Sequence, residues 1–129
     1  VCYNGDLYTP DAVAALQARF PSTDRLMLGR GLAGDPALAR RLKGGPPAGK
    51  EALAGFVDQV YESYAAAFGS RRNAMLRMKE VWFYLIRLFV DGDKLSKVIK
   101  KARDPLDYES AVRAVFHDLD LSPVLQPDW

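Results

Sequence analysis

The chain has 129 residues, is 49 % hydrophobic and 26 % charged, and carries a formal net charge of +2, which suits one globular domain or a domain plus a fragment. Nothing in it is low-complexity, and its longest apolar run is broken at Arg87 before membrane-spanning length. Cys2 is the only cysteine, which excludes an internal disulfide and a cysteine-rich zinc site, so the expectation is a soluble, reduced, cytoplasmic protein with no membrane partner.

The sequence opens on Val1-Cys2-Tyr3, without an initiator Met or a secretory leader, as expected of a piece of a longer protein. Val1 to Tyr3 is a short strand candidate, ended by the turn Asn4-Gly5-Asp6. Thr9 reads as an N-cap with Pro10 at the first helical position. Ala12, Val13, Leu16 and Phe20 then recur at helical spacing, so a helix is predicted over 10–20, stopped by Pro21-Ser22. A second strand is predicted over 25–28. This strand–helix–strand unit is of the kind that pairs its strands in parallel through a helical crossover. A lone parallel pair leaves open edges. The unit could dock on the rest of the chain, pair with a second copy or fray, and self-association is the expectation.

Leu28 runs into Gly29-Arg30-Gly31, and Asp35-Pro36 follows as an N-cap with proline in the first turn of a short helix reaching about Leu42. Strand, Gly-Arg-Gly turn and helix start together present backbone amides and a guanidinium to an anion, with phosphate the natural candidate. The plainer alternative is an ordinary turn in which the glycines supply backbone freedom.

The run Lys43-Gly44-Gly45-Pro46-Pro47-Ala48-Gly49 is the clearest boundary, dividing 1–45 from 46–129. Beyond it, helices are predicted over 50–68, with Gly69 as C-terminal cap, and over 70 to 89 or 90. A third is predicted over 93–102 and a fourth over 106–118, followed by an extended tail from Ser122. The expected fold class is therefore mainly α, a small antiparallel helical bundle preceded by a β-α-β unit.

Charge is segregated along the chain. Residues 71–103 hold ten basic side chains against Glu80, Asp91 and Asp93, a net +7 that leaves the remainder at −5. Arg72, Arg77, Lys79 and Arg87 fall opposite the apolar stripe of Met75, Met78, Trp82 and Leu85, and Lys94, Lys97 and Lys101 share one face of the next helix. Such a face suits phosphodiester binding, and the plainer alternative is a solvated helix surface. His117, the sole histidine, is expected at the surface, Cys2 as a small buried apolar group, and the acidic residues show no metal-ligand spacing.

Taken together, Asn4-Gly5-Asp6, then Leu28-Gly29-Arg30-Gly31-Leu-Ala-Gly-Asp-Pro36, then Arg77-Met-Lys79-Glu-Val-Trp82-Phe-Tyr84-Leu, resemble the C-terminal part of the tRNA-dihydrouridine synthases. The resemblance covers nearly the whole chain. It implies that residues 1–45 are the last two strands of an FMN-binding TIM barrel, a β-α-β remnant with FMN-phosphate loops after both strands. Asn4, Gly5 and Asp6 would then line one side of the phosphate and Gly29, Arg30 and Gly31 the other. Residues 46–129 resemble the family's tRNA-binding domain, with Arg72, Arg77, Lys79, Lys97 and Lys101 as backbone contacts.

The implied chemistry is reduction of the C5–C6 bond of flipped-out uridines in tRNA, with NADPH as reductant of the flavin and a cysteine as general acid. That cysteine belongs to an earlier barrel loop and Cys2 does not match it, so the piece is expected to hold no catalytic residue and to be inactive alone. Two alternatives stay open. One is another FMN barrel oxidoreductase, such as an old-yellow-enzyme relative, although those usually place Pro after the Arg where this chain has Gly31. The other is a non-enzymatic helical RNA- or protein-binding module.

Overall fold

The computed structural model describes residues 2–4, 7, 9–23 and 25–122. Its N-terminal unit consists of strand β1 (Cys2–Asn4), helix α1 (Pro10–Arg19) and strand β2 (Arg25–Met27). The strands pair in parallel, Cys2 with Arg25, Tyr3 with Leu26 and Asn4 with Met27. Helix α1 starts where the sequence placed it, because the Thr9 hydroxyl accepts from the Ala12 amide at 3.1 Å and Pro10 needs no donor at the first position. Its apolar face is thinner than its spacing implied. Only Val13 is buried, and Phe20 is exposed.

The Gly-Arg-Gly segment departs from the expected turn. Residues Gly29–Gly34 form a helix, α2, that follows β2 directly, with Leu28 at its N-cap. Gly31 sits there for a steric reason: a Cβ at this position would collide with the carbonyl oxygen of Leu7. The chain following β1 and the first turn of α2 are thus pressed together. Asp35 terminates α2 instead of starting the next helix. Its carboxylate, almost wholly buried, accepts from the Ala37 amide at 3.0 Å and from Arg41 at 2.7 Å, which fixes the turn into α3 (Leu38–Leu42).

Helices α4 (Lys50–Phe68), α5 (Arg71–Leu85), α6 (Asp93–Lys101) and α7 (Pro105–Asp118) make the bundle. Local chemistry sets several of the boundaries. Gly69 ends α4 in the left-handed region at φ 71°. The Ser70 hydroxyl caps α5 through the Asn73 amide, and the Asp104 carboxylate caps α7 through the Asp107 amide with Pro105 beside it.

The second bundle helix stops earlier than its apolar rhythm predicted. It tightens into a 3-10 turn over Ile86–Leu88, and Phe89 is extended, bridged antiparallel to Leu121. Val90 donates to the Asp120 carbonyl at 2.8 Å and Ser122 to the Leu88 carbonyl at 2.7 Å. These pairings with the chain after α7 take over the backbone groups that a longer α5 would have satisfied itself.

The core is built from Leu53, Val57 and Tyr61 of α4, Ala74, Met75, Met78, Trp82 and Leu85 of α5, Ile99 of α6, and Tyr108, Val112 and Val115 of α7. Trp82 is its largest member. Its indole N–H donates to the Tyr108 hydroxyl at 3.1 Å, and its ring meets Phe116 edge-on with centroids 5.8 Å apart. Phe56, Phe68 and Val98 are exposed although apolar. The N-terminal unit does not stand apart, since α2 packs against α5 and the 3-10 turn. Leu7, Val13, Ala37 and Leu38 are buried in that unit, outside the main cluster.

Candidate functional site

The phosphate-loop candidates divide between described and undescribed residues. Asn4 ends β1 beside Met27 of β2, so the chain leaves both strands at one end of the ladder. Gly5 and Asp6 lie outside the described residues, as do the side chains of Cys2 and Asn4. Gly29, Arg30 and Gly31 are the first three residues of α2, where backbone N–H groups have no partner within the helix. Arg30 is exposed, and among the described residues nothing beyond the local backbone stands within 4 Å of where a Gly29 Cβ would be. With six residues α2 has little macrodipole, so what it offers an anion is the backbone amides of its first turn and the Arg30 guanidinium.

The five basic candidates fall on different flanks of the bundle. Arg72, Leu76, Lys79 and Phe83 make one stripe of α5 by their spacing, and Lys79 shows which way it faces. Its ammonium donates to the carbonyls of Lys100 at 3.0 Å and Ala102 at 2.7 Å, the exposed C-terminal acceptors of α6. Lys79 therefore has a structural task that the sequence did not indicate. Arg77 lies on the other flank, with its guanidinium over the Phe68 ring of α4 at 5.3 Å and Glu80 at 4.0 Å.

Within the basic segment, acids offset Arg71 and Arg87. Arg71 reaches Glu109 at 3.1 Å and Glu62 at 3.7 Å, and Arg87 reaches Asp93 at 2.9 Å. Arg72, Lys94, Lys97, Lys100, Lys101 and Arg103 are exposed and have no side-chain ion pair among the described residues. On α6 the inward positions are Leu95 and Ile99, followed by Ala102, which leaves Lys94, Lys97 and Lys101 as a solvent-facing row. The uncompensated charge is thus concentrated on α6 and on the flank of α5 beside it.

Between those helices lies a cleft of about 420 Å³ that the spacing of the aromatics did not bring out. Trp82 and Ile99 form its floor, Phe83 and Tyr84 an aromatic wall, and Lys79, Glu80, Ser96 and Lys100 its rim. Phe83 is 55 % exposed, and its ring stands perpendicular to that of Tyr84 with centroids 5.0 Å apart. A sequence signal existed. Three successive aromatics on a helix are about 100° apart, so Trp82, Phe83 and Tyr84 cannot all point into the core.

Elsewhere the polar chemistry is structural. The Tyr61 hydroxyl donates to Glu109 at 3.1 Å, and burial, followed by the Glu109 charge and hydrogen bond, pushes its pKa from 10.0 up to about 12. Burial also raises that of Tyr108, against the lowering effect of its bond from Trp82. His117 is exposed, as expected, with Nδ1 at 2.6 Å from Asp118. Among the described residues no group of acids, His and Cys is placed to hold a metal, and no helix is long and apolar enough to cross a membrane. No protein-family model, curated protein or solved structure matches the chain.

Proposed function

We propose that this chain is the C-terminal part of a flavin-dependent tRNA-dihydrouridine synthase acting in the cytoplasm. In this reading residues 1–45 come from the closing strands of its barrel, and residues 46–129 are its tRNA-binding domain. The observation that carries the reading is the row of lysines on α6. Lys94, Lys97 and Lys101 are exposed and without acidic partners among the described residues, as counterion-releasing contact with a phosphate backbone requires.

The parallel pairing of β1 with β2 and the approach of Gly31 to Leu7 support the barrel part of the proposal. They bring the chain after each strand together, as a phosphate grip at the end of a barrel needs. The residues present fit one side of an FMN phosphate. The amides of Gly29, Arg30 and Gly31 would hold it, the open space at Gly29 would admit it, and Arg30 would neutralise it. FMN, when bound in the parent enzyme, supplies the hydride chemistry with NADPH as reductant. The chain's own work is to bind the cofactor's phosphate and the tRNA backbone, while the general acid belongs to an earlier part of the barrel. β1 and β2 pair only with each other among the described residues, so a second copy joining at these edges is part of the proposal.

Titration of tRNA into the chain across roughly 50 to 200 mM salt tests the reading. The expected result is low-salt binding that weakens steeply as salt rises. Absence of binding at low salt overturns it.

A further inference from the structure

We propose that the cleft between α5 and α6 is a subsite for one unstacked nucleobase of a bound RNA, with Phe83 as its stacking face. This rests on the RNA-binding reading above and adds base contact to it. Four features converge. The Phe83 ring is more than half exposed, at a position where the same helix buries Trp82 and Met78. The cleft, at about 420 Å³, is large enough for a nucleoside, and its floor of Trp82 and Ile99 is apolar. The polar groups stand at the rim, where Ser96 and Glu80 can accept from a base edge. Lys100 on that rim, with Lys97 and Lys101 on the same helix, places exposed cations without ion pairs beside the aromatic wall.

Aromatic face next to uncompensated lysines is how single-stranded RNA is held: the rings take the bases and the cations track the backbone. A peptide ligand would find cations matched to acidic residues, but would give no reason for an exposed aromatic ring beside an apolar floor. Among the candidate surfaces, the groove lined by Leu95, Val98 and Ala114 between α6 and α7 lacks any aromatic side chain. The groove beside Tyr61 is lined by Asp58, Glu62 and Glu109 against the cation Arg113, an acidic excess that repels phosphate.

The test compares a short oligouridylate with an abasic ribose-phosphate strand of the same length, which carries the same charge without bases. Full tRNA is titrated in the same buffer. The wild-type chain is expected to prefer the oligouridylate by about tenfold, within the range that one base–aromatic stack supplies. Phe83→Ala should erase that preference without changing the salt slope, and Phe83→Trp should restore it. Because Phe83 is exposed, the Phe83→Ala fold is expected intact, checked by its thermal melt. Equal affinity for the two strands, or a preference that survives Phe83→Ala, overturns the base subsite while tRNA binding keeps the broader reading. Loss of tRNA binding in the wild type overturns both, and binding of acidic peptide but not oligouridylate assigns the cleft to a protein partner and overturns the subsite.

Discussion

The carboxylate of Asp35 and the guanidinium of Arg41 form an ion pair of 2.7 Å in which the acid is almost wholly buried. The pair sits where the N-terminal unit meets the bundle, next to Pro47, Leu88, Leu121 and Ser122. Removing one member of a buried pair strands the other, and Asp35→Ala also removes the cap on Ala37. The expected destabilisation of Asp35→Ala is ~3 kcal/mol, read as a lowered urea midpoint. Asp35→Asn keeps an acceptor for the Ala37 amide and should lose less. An Asp35→Ala, Arg41→Met double variant should recover part of the loss, and an additive result would show that the two residues are not coupled.

Gly31→Ala puts a methyl group into the Leu7 carbonyl. Overpacking of this kind destabilises by ~1–3 kcal/mol. The same change at Gly29 meets open space, and alanine improves helix propensity there by up to ~1 kcal/mol. Thermal melts of the two variants should therefore move in opposite directions. A Gly31→Ala chain as stable as the wild type would remove the close approach as the reason for that glycine.

Lys79 and Lys97 separate structure from binding. Lys79→Met leaves the Lys100 and Ala102 carbonyls without their donor, and the expected loss of stability is ~1 kcal/mol. Lys97→Glu with Lys101→Glu touches no intramolecular partner among the described residues, so stability should hold within ~0.5 kcal/mol. The tRNA affinity of that double variant should fall. Its dependence on salt should flatten by about one power of the salt concentration for every phosphate that is no longer neutralised. Unchanged salt dependence would count against α6 as the surface that meets the RNA backbone.

Stability at high pH should report the buried tyrosines. Tyr61 titrates near 10.0 when unfolded and at about 12 in the folded chain, so the unfolded state releases its proton first. The folded state binds more protons between those values, and stability falls as pH rises from about 10 to about 12. Tyr108, raised chiefly by burial, acts in the same direction. Urea midpoints measured over this window should decline less steeply for Tyr61→Phe than for the wild type. Tyr108→Phe should also flatten the decline, although it starts ~1–3 kcal/mol lower because the Trp82 N–H loses its acceptor.

Most of the fold was legible where local chemistry and periodicity agree. Thr9-Pro10 and Gly69 marked helix boundaries in the sequence and mark them in the structure. Helix α2 was not legible, because three glycines in six residues argue against a helix. What holds it is tertiary, the fit of Gly31 against Leu7 and the packing of α2 on α5.

The end of α5 was hidden for a similar reason. Phe89 continues the apolar rhythm, but its neighbours' backbone partners, Asp120 and Ser122, lie some thirty positions later in the chain. At the candidate interface, the cations could be counted from sequence but their partners could not. Nothing local distinguishes Lys79, which closes α6, from Lys97, which faces solvent.

The bridge of Phe89 to Leu121 has a consequence for the order in which the bundle is completed. A ribosome releases α5 and its 3-10 turn well before Leu121 and Ser122, so the Leu88 carbonyl and the Val90 amide must wait for the chain beyond α7. The fold therefore has a late-arriving latch. Nascent chains halted before Asp120 should stay open to protease around Phe89, and chains extended well past Ser122 should close. Equal resistance at both lengths would mean that α6 and α7 shut the bundle without it.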